Sequence, residues 1–221
     1  MTITELTEDI LNYAIKNKIK KIYICGNGTA GKTTLSKSIK ENGEKYGNIN
    51  LISLDDFMVD IELRKNTNVS WNENGIQYDG RYTSSNKESY FLKNVYEILY
   101  NLDHGLDCYY FPMRYKEKNN MRKMYSNNFL TVLEGVGTVF LDIDKEESLT
   151  IFLKCSKEDE INRRIKRTEN LNRNQLELYD EKRASQFRAN ILPEAEKFDL
   201  IIESNQNFEY SIIKDSTLSN K

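Results

Sequence analysis

Residues 26–33 read Gly26-Asn27-Gly28-Thr29-Ala30-Gly31-Lys32-Thr33, and this G-x-x-x-x-G-K-T pattern constrains the fold more than anything else in the chain. An apolar run, Ile19 to Cys25, precedes it and reads as a buried strand; a helix-like segment, Leu35 to Tyr46, follows. In that strand–loop–helix setting, glycines let the loop curl until successive backbone N–H groups converge on phosphate oxygens. The N-terminus of the helix adds positive field and unsatisfied N–H donors. Lys32 can reach the terminal phosphates, and the Thr33 hydroxyl suits Mg²⁺. The expected phosphate cradle runs from Gly26 through Thr34.

The same stretch also spells G-x-G-x-x-G through Gly26, Gly28 and Gly31, and Asp55 closes the next strand where a dinucleotide site places its ribose-binding acid. The Lys32-Thr33 pair separates the two readings. A dinucleotide site needs no cation and no metal-binding hydroxyl at this turn, whereas a triphosphate site needs both.

The length of 221 residues predicts one domain with a sizeable core. Lys plus Arg is 32 and Asp plus Glu is 34, a net charge of −2, which argues against nucleic-acid or membrane binding across the whole surface. No stretch resembles a signal peptide or a membrane span. The three cysteines, Cys25, Cys108 and Cys155, lie in strand-like runs without C-x-x-C spacing and read as small buried hydrophobes. Together these features point to a soluble, cytoplasmic protein.

Apolar residues recur at helical spacing over 4–17, and strands are expected at 19–25, 49–54, 106–111, 129–134, 149–155 and 198–202. Helices are expected to Tyr46, over 90–102, 157–168 and 175–192. The polar stretches 60–86 and 112–127 read as loops, and the tail after about 204 as fraying. Continuously apolar strands alternating with helices imply a parallel sheet covered on both faces, with ligands beyond the carboxyl ends of the strands.

Two further motifs lie just after strands. Ser53-Leu54-Asp55-Asp56-Phe57 offers a carboxylate that can orient a hydroxyl and take its proton, or act through Mg²⁺; the acid pair equally suits the first turn of a helix. Phe129 to Gly137 is an apolar strand ending in Glu134-Gly135, where an acid can hold Mg²⁺ or simply close a strand. On the later helix, Arg163 and Arg167 lie four apart on one face, where guanidinium groups could close over a γ-phosphate or form a solvated basic face.

In order, the phosphate loop, S-x-D-D-F, the strand ending E-G, the arginine-rich helix and Lys197-Phe198-Asp199-Leu200-Ile201-Ile202 resemble the uridine kinase/phosphoribulokinase/pantothenate kinase group of P-loop kinases, the uridine kinase branch above all. The likeness spans about Lys21 to Ser204. It implies a three-layer α/β/α P-loop NTPase fold with a mostly parallel sheet, and an ATP- and Mg²⁺-dependent kinase acting on a hydroxyl of a small metabolite. It implies that Asp55 is the catalytic base and that Glu134 joins Thr33 and Asp55 in the Mg²⁺ site. The family's lid pattern R-R-x-x-R-D is matched by Arg163, Arg164 and Arg167, over a lid helix of about 157–173, with Thr168 in place of the Asp. In that reading Lys32, Arg163 and Arg167 serve catalysis, Arg164 helps bind the nucleotide, and Arg173 is a further lid contact.

The acceptor motifs diverge. Where uridine kinases carry P-x-Y-D-F, with a His and an Arg after it, this chain has Pro112-Met113-Arg114-Tyr115-Lys116 and no His follows. Tyr78-Asp79-Gly80-Arg81-Tyr82 resembles the family's Y-D-x-P loop without its Pro. Asp79, Arg81, Tyr110, Arg114 and Tyr115 therefore stand as candidate acceptor contacts for a polar or negative group, and equally as packing and surface charge. The one histidine, His104, sits in a helix-ending Asp-His-Gly, and Trp71 fits either packing or ligand stacking.

Competing readings are a regulatory GTPase, a nucleotide-dependent interaction protein without turnover, and a dinucleotide oxidoreductase. The GTPase lacks its guanine motif, since Asn17-Lys18 and Asn86-Lys87 have no following Asp in place. The sequence is compatible with a homo-oligomer.

Overall fold

The computed structural model describes residues 1–113, 120–167 and 173–218, the backbone alone over 173–180. The chain opens with α1 (Ile3–Lys16), β1 (Lys21–Gly26), α2 (Lys32–Gly43) and β2 (Ile49–Ser53). It continues through α3 (Ile61–Asn66), β3 (Asn68–Glu73), β4 (Ile76–Arg81), α4 (Leu92–Asp103), β5 (Cys108–Tyr110) and β6 (Arg122–Met124). The last elements are β7 (Leu130–Glu134), β8 (Ser148–Lys154), α5 (Lys157–Arg167), α6 (Arg173–Asn190), β9 (Leu200–Ser204) and β10 (Tyr210–Asp215).

Six strands form one sheet in the order β10-β9-β8-β1-β7-β2, parallel except for β10. Strand β7 is buried at every position, as a central strand covered on both faces must be. One face packs on α1 and α2 through Leu6, Ile10, Leu35 and Ile39. The other packs on α4 and the turn after β2 through Leu54, Phe57, Val95 and Leu99. A third cluster, including Phe152, Ile191 and Phe198, closes the sheet beside α6. The result is the expected three-layer α/β/α arrangement with a mostly parallel sheet.

Helix α1 starts where a capping box sets it: the Glu5 N–H donates to Thr2 Oγ1 at 3.2 Å and the Thr2 N–H to Glu5 Oε2 at 2.7 Å. Register fixes the site end of the sheet. Strand β7 pairs with β1 and β2 so that Glu134 lies level with Ile24 on one side and Ser53 on the other. The acid of the third motif is thereby placed between the strand that feeds the phosphate loop and the strand that feeds Asp55.

Three expectations are corrected. The stretch 60–86 is not a loop: it folds into α3 and the antiparallel hairpin β3–β4. Asn74 and Gly75 at its tip have φ of 53° and 84°, the double positive φ that a tight two-residue hairpin turn demands. The hairpin is docked onto α6. Trp71 is buried, stacks on Tyr78 and donates from its indole N–H to Ser185 Oγ at 2.8 Å, so it packs internally. Gln186 Nε2 adds a bond to the Arg81 carbonyl at 2.9 Å. The tail after 204 does not fray either: β10 closes the sheet edge, because Tyr210 at its start is 1% exposed and packs against the core of the α1–α2 face. The strand expected over 106–111 is the short β5, paired with β6 inside the second expected loop.

Candidate active site

The phosphate loop leaves β1 at Gly26. A Cβ there would lie 1.8 Å from the Leu153 carbonyl oxygen, so only glycine lets the chain turn this close to β8. Lys32 begins α2 and curls back over the loop, donating from Nζ to the carbonyls of Gly26 at 2.9 Å and Asn27 at 2.6 Å. Thr33, one residue on, donates from Oγ1 to Glu134 Oε1 at 3.3 Å. The same carboxyl oxygen accepts from Ser53 Oγ at 2.9 Å, as the β2–β7 register dictates. Glu134 is 6% exposed, and burial pushes its carboxyl above the usual carboxylate range, with Asp55 adding to the rise and Lys32 opposing it.

These groups open into one cavity of about 610 Å³. Its wall takes Gly28, Thr29, Gly31, Lys32, Thr33 and Thr34 from the loop and its helix. Asp55 and Glu134 enter from the ends of β2 and β7. Arg164 and Arg167 face it from α5, and Arg183 from α6. Arg64 and Lys65 of α3 and Arg81 of β4 complete it. A smaller adjoining cavity of about 160 Å³ is shared by Asn27, Gly28, Arg164 and Arg183, which sets those two arginines on the phosphate-loop side. Arg64 stands apart from them, half-buried, with its Nε donating to the Val59 carbonyl at 2.9 Å. Burial lowers its pKa, Asp55 opposes that shift and Arg81 reinforces it, so the three groups lie within one another's fields.

The donor set suits a hard divalent cation. A threonine hydroxyl and two carboxylates supply oxygen only, and one of the carboxyls is buried and destabilised as an anion, a state a cation relieves. Among the described residues no cluster of three or more His, Cys, Asp or Glu forms, so the remaining coordination would fall to phosphate oxygens and water.

Several site expectations need correction. Arg163 does not face the cavity. It is 7% exposed and turns inward behind the phosphate loop, donating from Nη1 to the Thr29 carbonyl at 2.9 Å and to Ser204 Oγ at 3.0 Å, and from Nη2 to the Asn205 carbonyl. The cavity face of α5 is carried by Arg164 and Arg167, three apart, with Arg164 also paired to Glu160. Tyr110 is buried and donates to Asp56 Oδ2 at 3.1 Å, so this pair belongs to the core beneath the site. Asp79 is exposed on the hairpin, accepts from Ser70 and does not line the cavity. Ala30 is buried beneath the loop. His104 stacks on Tyr100 at the end of α4, away from the cavity. Arg114, Tyr115, Lys116 and Thr168, with the Arg173 side chain, lie outside the described residues.

Sequence reasoning missed Arg64, Lys65 and Arg183. The first two were legible as a short helix, since Asp60 precedes Ile61 as a capping residue and accepts from the Glu62 N–H at 2.9 Å. Arg183 carries no local signal, since only the docking of α6 brings it to the loop.

The sequence profile of the Phosphoribulokinase / Uridine kinase family matches residues 21–211. No curated protein sequence matches the chain. Among solved structures, D-glycerate 3-kinase from Cryptococcus neoformans var. grubii shares the fold at a TM-score of 0.67 and 9% identity, covering 96% of this chain and 99% of its own. The YGR205w protein matches at 0.61 and 13%, covering 96% and 98%. A putative fructose transport system kinase from Silicibacter sp. TM1040 matches at 0.52 and 14%, covering 89% and 93%. At these identities the likeness is one of fold. No helix among the described residues is long and apolar enough to cross a membrane.

Proposed function

Because the chain belongs to the Phosphoribulokinase / Uridine kinase family and is a small-molecule kinase, we propose that it moves the γ-phosphoryl group of ATP to a hydroxyl of a small metabolite, with Mg²⁺. The observation that carries this reading is the meeting of Lys32, Thr33, Asp55 and Glu134 in one cavity at the carboxyl ends of three adjacent strands.

Each role follows from chemistry. Lys32 exchanges two loop carbonyls for phosphate oxygens, since a cation bonds an anion more strongly than a neutral carbonyl. The loop N–H groups from Gly28 to Thr34 cradle the same phosphates. Thr33, Glu134 and Asp55 would hold Mg²⁺, directly or through water. The chemistry such an ion would supply there is charge neutralisation on the phosphate oxygens, which lowers the cost of bringing an acceptor oxygen close. Asp55 orients the acceptor hydroxyl and takes its proton as that oxygen bonds the γ-phosphorus. The bond from phosphorus to the β–γ bridging oxygen breaks in the same step, and ADP leaves. Arg164, Arg167 and Arg183 balance charge on the transferring group and displace water as the helices close.

The test is ADP release from Mg²⁺-ATP by the purified protein against a panel of hydroxyl acceptors, with Asp55→Asn as control. Stimulation by one acceptor, lost in the variant, supports the kinase reading and identifies the substrate. ATP binding with no stimulation by any acceptor favours a nucleotide-dependent binding protein. Micromolar NADH binding with none of ATP reinstates the dinucleotide reading.

A further inference from the structure

Cations reach the cavity from two sides. Lys32 of the loop, with Arg164 and Arg183, stands on the phosphate-loop side. Arg64 and Arg81 come from different elements, α3 and the β3–β4 hairpin, while the neighbouring Lys65 is paired with Glu62. They line the large cavity and are absent from the smaller one beside Gly28. Arg64, Arg81 and Asp55 line the same cavity and lie within one another's fields, so the two guanidinium groups share the side where Asp55 would meet an acceptor hydroxyl.

The Arg64 guanidinium and the backbone that carries Arg81 are both held in place. Arg64 is tethered through Nε to the Val59 carbonyl at 2.9 Å, and among the described residues its Nη groups have no other hydrogen-bond partner. Arg81 ends a strand whose carbonyl is fixed by Gln186 at 2.9 Å. Anchored, partly desolvated guanidinium groups at the mouth of a cavity recognise planar or tetrahedral anionic oxygens far better than neutral hydroxyls. Met58 and Ile61 add an apolar stretch to the wall beside Arg64, and Tyr82, Thr83 and Ser84 follow Arg81 along it.

Resting on the kinase reading above, we propose that the acceptor is a small hydroxy compound carrying an anionic oxygen group, carboxylate or phosphate monoester, held by Arg64 and Arg81 while Asp55 engages its hydroxyl. This assigns Arg64 and Arg81 as the residues that set acceptor specificity.

The test uses the full chain with Mg²⁺-ATP and acceptors in matched pairs that differ in the charged group: glycerate and glycerol, pantothenate and panthenol, ribose 5-phosphate and ribose. The expected result is that a charged member stimulates ADP release at a kcat/KM at least about tenfold above its neutral partner. The pair that responds tells carboxylate from phosphate. Arg64→Gln and Arg81→Gln should each raise the KM for that acceptor about 10- to 100-fold, with the KM for ATP moving less than about twofold. Arg64→Lys and Arg81→Lys, which keep the charge and lose the fork, should fall between. Equal or better use of a neutral partner overturns the proposal while the kinase reading stands. So does an unchanged acceptor KM in both glutamine variants at an unchanged melting midpoint. Stimulation by no acceptor overturns both.

Discussion

Arg163 donates from Nη1 to the main-chain oxygen of Thr29 at 2.9 Å, tying the helix after β8 to the middle of the phosphate loop. Thr29 stands at φ 63°, a conformation few non-glycine residues adopt, and the bond holds it there. Ser204 joins the same node, accepting from Arg163 at 3.0 Å and donating to the Ala30 carbonyl at 3.0 Å.

Arg163→Met should therefore behave as a stability variant. It strips the buried carbonyl and hydroxyl partners of their donor, at about 2–4 kcal/mol by denaturant unfolding. The KM for ATP should rise as the loop loosens. Arg164→Met and Arg167→Met should show the reverse, a near-native unfolding midpoint with kcat lowered about 10²-fold or more. Equal kcat losses in all three would return Arg163 to the catalytic group.

Asp55→Asn keeps the shape of the side chain and removes its basicity. Turnover should fall about 10²- to 10⁴-fold, while the Kd for ATP stays within about threefold. Single-turnover kinetics beside equilibrium nucleotide binding check this.

Glu134 supplies a pH signature. Burial raises its carboxyl above the ordinary value of 4.5, so the folded chain holds this proton more tightly than the unfolded one. Stability of the ligand-free protein then falls as pH rises from about 4.5 through the folded pKa, and the cost persists above it. Glu134→Gln removes the titration. The variant should melt higher than the parent near neutral pH without ligand, with the difference vanishing towards acid. It should also lose the further stabilisation that Mg²⁺-ATP gives the parent. Thermal melts across pH, with and without Mg²⁺-ATP, measure both effects.

Trp71→Ala removes a buried indole and its bond to Ser185, at about 3–5 kcal/mol against docking of the hairpin. Hydrogen exchange over 68–81 should accelerate by several orders of magnitude while β1 and β7 stay protected. Protection retained across the hairpin would mean that other contacts dock it.

The fold and the placement of the candidate residues were legible where the signal is local. The phosphate loop announces itself within eight residues, and Asp55 and Glu134 lie at the ends of apolar runs that fold as β2 at the sheet edge and β7 inside it. They were not legible where distant parts decide. Arg163 and Arg164 are adjacent and both lie in phase with Arg167, at spacings of four and three. Only the position of Ser204 and Thr29 shows which of them turns inward. The hairpin strands are polar because one side faces water and the other α6, so their alternation is weak, although Asn74-Gly75 marked the turn in plain view. Residues Tyr210 to Asp215 pass as a tail until β9 offers them an edge.

The anchoring of the β3–β4 hairpin on α6 couples two walls of the cavity. One helix carries Arg183 into its lining and, two and three residues on, the Ser185 and Gln186 that bond Trp71 and the Arg81 carbonyl. Under the proposed kinase reading, a change that reshapes the hairpin wall for another acceptor would also disturb the helix that presents Arg183, so substrate range and catalytic pace would move together.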